Sequence, residues 1–225
     1  KQLARFLEEA RNMALFSKEQ DIVNVYDYFE ENQTAYIIME YVDAPVLKEC
    51  LKEKGRFRAE EAEGYIVAIL DALSKVHSHG IIHKDVSPDN IFILGETSVK
   101  LFDFGAAKFQ GTETERTEDV VVKAGYTPPE QYRSKNEQGA FMDIYAAGAV
   151  LYEKVTGEKP MEAPDRSVED ALKRPSEFGV EIEEQMERVI LKALALEPKL
   201  RFQAAGQMKE AIISRKKVEL PEEEI

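Results

Sequence analysis

Two short stretches decide how this chain is interpreted: residues 83–90 read His-Lys-Asp-Val-Ser-Pro-Asp-Asn, and residues 103–105 read Asp-Phe-Gly. A carboxylate at Asp85 can accept a proton from a hydroxyl group. The amide oxygen of Asn90 and the carboxylate of Asp103 are ligands that suit Mg²⁺, and the glycine that follows lets the backbone move beside the metal ligand. These residue types are what transfer of a phosphoryl group from a nucleotide needs.

The composition favours a folded domain without a broad nucleic-acid-binding surface. The 225 residues are 44% hydrophobic and carry a net charge of −13, which provides for a core and disfavours nucleic acid and anionic membranes as partners. The single Cys50 excludes an internal disulfide and fits a reducing compartment, so we expect a cytoplasmic location. We find no apolar run near the roughly 18 residues of a membrane span. Because the sequence begins with Lys1, we expect a piece of a longer protein, which could be membrane-anchored elsewhere.

Apolar periodicity predicts a mainly helical chain with one hairpin near its start. An amphipathic helix is predicted over residues 2–16, and two strands over residues 22–29 and 35–41, joined by the polar residues 30–34. Asp43-Ala44-Pro45 is the best candidate for a hinge. The further predictions are a long helix that stops at Gly80, short strands over 91–94 and 99–102, a mobile polar loop over 110–119, a buried helix over 143–155, a helix over 182–193, and a frayed acidic end from residue 220.

The ordered motifs resemble those of the protein kinase family, most closely its bacterial eukaryotic-like Ser/Thr branch. They are Phe-Leu-Glu-Glu-Ala at 6–10, Met-Glu-Tyr-Val at 39–42, the two stretches quoted above, Gly-Tyr-Thr-Pro-Pro-Glu at 125–130, Asp-Ile-Tyr-Ala-Ala-Gly at 143–148 and Arg-Phe at 201–202. The resemblance runs from Arg5 to about Ile213. It implies a protein kinase-like α+β fold: a remnant small lobe (helix plus β-hairpin) in residues 1–42, a mainly α-helical large lobe in 43–217, and an acidic tail or linker in 218–225.

The resemblance implies ATP and Mg²⁺ as cofactors, and a protein substrate that presents a Ser or Thr hydroxyl. Asp85 would expose its carboxylate, orient that hydroxyl and accept its proton, while Asn90 and Asp103 would ligate Mg²⁺. The alternative for Asp85 is a loop-capping aspartate, and for the other two a turn amide and a turn carboxylate. In the nucleotide pocket, Met39 would gate the back, the backbone of Glu40 and Val42 would read the adenine edge, and Phe92 would lie under the adenine.

Other residues acquire structural roles through the resemblance. Glu9 would pair with a nucleotide-binding lysine, or else be a solvent-facing helix charge. Phe104 and His83 would join Met13 and Val25 in the stack of side chains that aligns the two lobes. Three further residues would brace the large lobe: Glu130 and Arg201 as a buried ion pair, and Asp143 through the backbone of the catalytic loop. His77 and His79 are predicted to cap a helix end.

The chain departs from the family pattern at several positions. Ser87 stands where most Ser/Thr kinases carry a lysine that steadies the γ-phosphate. As a catalytic residue it could hydrogen-bond phosphate through its hydroxyl but would supply no charge, so we expect slower transfer. Lys84 replaces the usual arginine that clamps a phosphorylated loop, and Lys123 replaces a threonine that touches the catalytic aspartate. The sequence contains no Gly-x-Gly-x-x-Gly motif and no matching phosphate-pairing lysine. We therefore expect these 225 residues alone to bind ATP weakly and to be a poor catalyst or none.

Regulation by phosphorylation is a hypothesis for the polar loop before Gly125. Thr112, Thr114 and Thr117 are the candidate acceptors, and phosphate there could pair with nearby lysines. The alternative is a solvated loop without modification. For the whole chain we predict a Ser/Thr protein kinase catalytic region. The alternatives are a pseudokinase that only binds partners, and a fragment without activity.

Overall fold

The structure is a computed structural model that describes residues 2–95, 97–104, 106–109, 122–132 and 138–220. Within these residues the chain forms an α+β fold with a helix and hairpin first and a mainly helical lobe after them, which confirms the predicted fold class. The helices are α1 (Gln2–Ala14), α2 (Leu47–Lys54), α3 (Ala59–Ser78), α4 (Phe141–Thr156), α5 (Ala163–Arg166), α6 (Glu184–Ala193) and α7 (Ala205–Ser214). The strands are β1 (Val25–Glu31), β2 (Thr34–Met39), β3 (Ile81–Ile82), β4 (Ile91–Ile93), β5 (Val99–Leu101) and β6 (Lys108–Phe109).

The antiparallel β1–β2 hairpin has a tighter turn than the sequence suggested. Glu31 pairs with Thr34, so only Asn32 and Gln33 lie between the strands, with φ angles of 51° and 62°. Two consecutive left-handed residues form the tight turn whose twist matches that of the flanking strands. The predicted polar connection over residues 30–34 is therefore wrong, because its outer residues pair within the sheet.

The helical lobe is built around α4. Every residue of α4 except Phe141 and Glu153 is buried, and this confirms the helix predicted inside the lobe. A Cβ atom added at Gly148 would lie 2.6 Å from the Cβ of Ala193 on α6, so the close approach of the two helices requires glycine at this position. Helix α3 packs on the same core through Ile66, Ile69, Leu70, Ala72 and Leu73.

The antiparallel β4–β5 hairpin joins the helical lobe to the preceding segment. Main-chain hydrogen bonds run from Val23 N to Leu101 O (2.9 Å) and from Leu101 N to Asp21 O (2.8 Å). Residues 21–23 therefore lie beside β5, and β1 begins only at Val25 instead of at the predicted residue 22. On the other side, Val46 pairs with Phe92, which holds the predicted hinge segment against β4.

The last described residues pack on the helical lobe. Val218 and Leu220 are buried, and the main chain of Val218 contacts the side chains of Gln185 and Arg188, both at 3.0 Å. These apolar side chains extend the core beyond residue 217, whereas the division into domains stays a prediction. Among the described residues, the structure contains no helix that is both long and apolar enough to cross a membrane.

Candidate active site

A buried carboxylate on α4 fixes the backbone just before Asp85. Asp143 is fully buried, and its two oxygens accept hydrogen bonds of 2.8 Å from the main-chain N–H groups of His83 and Lys84. His77 Nε2 lies 2.8 Å from the same carboxylate. Although burial alone raises the pKa of Asp143, the hydrogen bond and charge of His77 and the contacts with His83 hold the pKa below its ordinary value. The central helix thus positions the loop that carries Asp85.

The contact between His77 and Asp143 was not predicted from the sequence. The His77 ring lies against Asp143 on α4. His79, by contrast, is the C-cap residue directly after α3, and its Nδ1 lies 3.0 Å from the Lys75 carbonyl oxygen. The prediction that both histidines cap the helix is therefore wrong for His77. Only the long-range packing of α3 against α4 distinguishes them, and helical position alone carries no signal for it.

Two non-glycine residues beside the site have a left-handed backbone. Lys84 and Asp103 both have φ of 63°, a region that residues with a Cβ atom rarely adopt and that is enriched at functional sites. Asp143 holds the first of them, since it binds the Lys84 N–H. These backbone conformations turn the chain immediately before Asp85 and before Phe104.

Asp85 is buried rather than exposed, which corrects the expectation from sequence. Its side chain is 9% exposed, because Asn90 Nδ2 donates to Oδ2 at 2.8 Å and Lys123 Nζ lies 3.0 Å from Oδ1. Asn90 Nδ2 also reaches the Asp85 carbonyl oxygen at 2.9 Å. Burial raises the pKa of the Asp85 carboxyl above its ordinary value, and the contacts with Lys123 and Asn90 offset only part of that effect.

Ser87 and Lys123 meet next to Asp85. Ser87 is fully buried, and Lys123 Nζ donates to its Oγ at 2.9 Å. Each residue departs from the family pattern on its own, and their contact was not predicted from the sequence. The signal was present in the two substitutions taken together, since one removes an ammonium group and the other introduces one.

Asn90 and Asp103 are brought to neighbouring positions by the β4–β5 hairpin. The N–H of Phe102 donates to the Asn90 carbonyl oxygen at 3.2 Å, so Asp103 follows directly on a residue bonded to Asn90. Both N–H groups of the Asn90 side-chain amide donate to Asp85, which leaves the amide oxygen available to a cation. An amide oxygen and a nearby carboxylate fit Mg²⁺, a hard cation that keeps several other oxygen ligands. Gly105 lies outside the described residues.

The predicted adenine-binding segment has main-chain groups to offer. The Glu40 side chain is engaged elsewhere, with Lys100 Nζ at 2.6 Å and the Asn24 N–H at 3.2 Å. These contacts hold the pKa of Glu40 below its ordinary value despite the opposing effect of burial. The main-chain hydrogen bonds found among the described residues do not use the Glu40 carbonyl or the Val42 N–H, the two groups that an adenine edge would need.

The other two predicted pocket residues differ in their packing. Phe92 is half-buried on β4 and stacks on Phe102 with ring centroids 4.5 Å apart, so its ring has a fixed position beside the hinge segment. Met39, the last residue of β2, is 42% exposed. Its predicted function as the gate at the back of a pocket stays a prediction.

The side chains predicted to align the two lobes lie in one apolar cluster. Met13, Val25 and Phe104 are buried in it together, and the ring of His83 packs against Phe104 at 4.6 Å. The cluster therefore connects α1 and β1 to the loop of Asp85. Glu9 is half-buried on α1, and its predicted lysine partner has no counterpart in the sequence.

A buried ion pair braces the far side of the lobe. Arg201 Nη1 and Nη2 contact the two oxygens of Glu130 at 2.6 and 2.9 Å, and both side chains are almost completely buried. The guanidinium group also donates to the carbonyl oxygens of Ala195 and Leu196. Such a bidentate and otherwise hydrogen-bonded pair fixes the segment after Gly125 against the chain that follows α6.

Comparison with known proteins identifies the family. The model of the protein kinase domain matches residues 1–212. A probable serine/threonine-protein kinase of Streptomyces coelicolor is 35% identical over 220 residues, which cover 92% of this chain and 32% of the relative. Serine/threonine-protein kinase PknB of Mycobacterium tuberculosis is 36% identical over 232 residues, which cover 97% of this chain and 37% of the relative.

The chain spans about a third of the length of the curated relatives that it matches. The match itself covers nearly all of the chain, including the residues of the site described above. On these grounds the chain belongs to the protein kinase family.

Proposed function

We propose that this chain is the catalytic region of a serine/threonine protein kinase, which transfers the γ-phosphoryl group of ATP to protein hydroxyls with Mg²⁺. The observation that carries the proposal is the contact between Asn90 and Asp85, together with the hydrogen bond that sets Asp103 beside Asn90. A base and a metal-ligating pair are thereby held within one small region. The names of the bacterial relatives support the choice of Ser and Thr hydroxyls as acceptors.

Asp85 would act on the acceptor hydroxyl. One contact to each of its oxygens comes from the protein, and a carboxylate oxygen has a second lone pair, so the carboxylate can still accept a hydrogen bond from substrate. As the hydroxyl oxygen bonds to the γ-phosphorus, the bond from phosphorus to the β-phosphate oxygen breaks, ADP leaves and Asp85 accepts the hydroxyl proton.

Asn90 and Asp103 would hold Mg²⁺ through their side-chain oxygens. The metal ion would supply positive charge to the phosphates when bound. Glu40 and Val42 would bind the adenine through their main chain, and Phe92 would contact its face. The expectation that residues 1–225 alone bind ATP weakly stays a prediction, as does phosphorylation of Thr112, Thr114 or Thr117, which lie outside the described residues.

A phosphotransfer assay with the full-length protein tests the proposal. We expect transfer of labelled γ-phosphate from Mg²⁺-ATP to a basic protein substrate or to the protein itself, with phosphoserine or phosphothreonine as the product. Asp103→Asn should abolish transfer, while the matched control Asp165→Asn, on the surface helix α5, should retain it. A wild-type protein that binds nucleotide without transferring phosphate would support the pseudokinase alternative and contradict the proposal.

A further inference from the structure

A lysine from outside the loop of Asp85 and Ser87 places its ammonium group against both of these side chains. Lys123 Nζ contacts Asp85 Oδ1 at 3.0 Å and Ser87 Oγ at 2.9 Å. Both contacted side chains are buried, whereas that of Lys123 is 27% exposed. The amine therefore lies at the opening of the site, between the proposed base and solvent.

The geometry of this amine leaves it free to bind an anion. An ammonium group has three N–H donors, and the two contacts named above use two of them. The donor that remains can face the open side of the site. A phosphoryl group placed between a hydroxyl bound to Asp85 and a metal ion held by Asn90 and Asp103 would pass this amine.

The main chain fixes Lys123 in place. The Lys123 N–H donates to Thr127 Oγ1 at 2.8 Å, and the Lys123 carbonyl accepts from the N–H groups of Tyr126 and Thr127 at 3.0 and 3.1 Å. The hydroxyl of Tyr126 donates to Glu153 on α4. Gly125, with φ of 86°, lies so close to the Pro160 carbonyl oxygen that an added Cβ would be 3.0 Å from it. A preorganised charge of this kind needs little reorganisation during reaction.

We propose that Lys123 binds the transferred phosphoryl group and supplies the positive charge that residue 87 does not. Relative to the family pattern, the amine and the hydroxyl have then exchanged places: the amine lies on the Lys123–Thr127 turn, and the hydroxyl of Ser87 lies on the loop of Asp85. This inference rests on the proposed function, because it specifies which residue of that site meets the phosphate. It also makes the position of the Lys123–Thr127 turn a requirement for transfer.

The opposite reading is that Lys123 blocks Asp85 by neutralising it. The two readings predict opposite effects of removing the amine. If Lys123 is a block, Lys123→Thr should raise the transfer rate and leave the affinity for triphosphate unchanged. If Lys123 binds the phosphoryl group, the same variant should lose both rate and the preference for triphosphate over diphosphate.

The experiment compares four variants of the full-length protein with the wild type: Lys123→Thr, Ser87→Lys, the double variant, and the matched control Lys199→Thr on an exposed surface. Calorimetry measures the affinities for a non-hydrolysable ATP analogue and for ADP, both with Mg²⁺. A phosphotransfer assay gives kcat, and thermal unfolding shows whether each variant folds.

We expect Lys123→Thr to lower the affinity for the ATP analogue about tenfold, because one charge-assisted hydrogen bond is lost, and to change the affinity for ADP little. We expect kcat to fall by about 10²–10³-fold, as for other removed donors at developing charge. The double variant should recover most of both losses, because it returns the amine from position 87. Lys199→Thr should match the wild type.

Failure of this inference and failure of the proposed function give different results. Unchanged or faster transfer by a folded Lys123→Thr variant, or no recovery in a folded double variant, overturns the inference while the wild type still transfers phosphate. A wild type that transfers no phosphate overturns the proposed function, and the inference is then decided by whether Lys123→Thr selectively weakens the ATP analogue. Equal losses of affinity for the analogue and for ADP in the Lys123→Thr variant overturn the inference in either case.

Discussion

Helix α4 of the helical lobe and the β1–β2 hairpin bury their apolar side chains to very different extents. In α4 even polar residues such as Asp143 and Lys154 have no exposed surface. In the β1–β2 hairpin only Val25 is buried, and large apolar side chains remain open to solvent. These are Tyr26, Tyr28, Phe29, Tyr36, Ile38 and Met39.

The difference shows how the site divides between the two regions. Asp85, Asn90 and Asp143 belong to the helical lobe, where packed helices hold the backbone of the loop. The main-chain groups of Glu40 and Val42 follow directly on the thin two-stranded sheet. A single hairpin has little stability of its own, so the proposed chemistry rests on the well-packed region and the proposed adenine contacts on the less packed one.

The largest predicted effect comes from breaking the buried ion pair of the helical lobe. Arg201→Met leaves the Glu130 carboxylate buried and unpaired, which typically costs about 3–5 kcal/mol. At about 2–4 °C per kcal/mol for a protein of this size, Tm should fall by about 6–20 °C. Thermal unfolding by circular dichroism measures this.

The matched control is Arg215→Met, because Arg215 forms a surface ion pair with Glu63 at 2.7 Å and is 42% exposed. Such pairs contribute about 0–1 kcal/mol, so Tm should change by no more than about 4 °C. Equal losses in the two variants would contradict the view that the helical lobe depends on its buried pair.

A smaller effect of opposite sign is predicted at Lys154. Its amine is buried without a hydrogen-bond partner and lies 3.9 Å from the ring centroids of both Phe57 and Tyr65. Burial lowers the pKa of Lys154 to about 7, against the weaker opposing effects of Cys50 and Glu61. Replacement of a buried charge by an apolar side chain of similar size is often stabilising, by about 1–4 kcal/mol at most, so we expect Lys154→Met to raise Tm near pH 6.

This gain should depend on pH. Between pH 7 and 10.5 the unfolded chain holds a proton on Lys154 that the folded protein does not, so the free energy of unfolding rises with pH in that window. Below pH 7 both states are protonated and the full cost of the buried charge is present. The advantage of Lys154→Met should therefore be greatest below pH 7 and shrink towards pH 10. An advantage that stays constant or grows with pH would contradict the assignment, and the exposed Lys54→Met serves as the control.

The smallest effect is predicted in the β1–β2 hairpin. Ile38 on β2 is 47% exposed, and substitutions at such positions usually change stability by less than about 0.5 kcal/mol. Ile38→Thr should leave Tm within about 2 °C of the wild type. A loss above about 1 kcal/mol would mean that the full-length protein covers this face, and would weaken the contrast between the two regions.

Sequence reasoning performed best where one element determines the outcome. The apolar run of α4, and the two short apolar stretches on either side of the turn at residues 95–98, predicted α4, β4 and β5 to within two residues. It failed where distant residues meet. Whether Asp85 is exposed depends on Lys123, and the position of His77 depends on Asp143, more than 60 positions further along the chain. Spacing along the sequence carries no information about such contacts.

The central claim is that Asp85 accepts a proton during phosphotransfer, and the most direct measurement is kcat of the full-length Asp85→Asn variant beside its ATP-analogue affinity and Tm. Asparagine keeps the shape and can still accept the hydrogen bond from Asn90, but it loses the ion pair with the partly exposed Lys123. Because burial already disfavours the charged carboxylate, affinity and Tm should change much less than kcat. The account predicts that kcat falls by about 10²–10⁴-fold. Near-normal kcat in a folded variant that binds the analogue would contradict it.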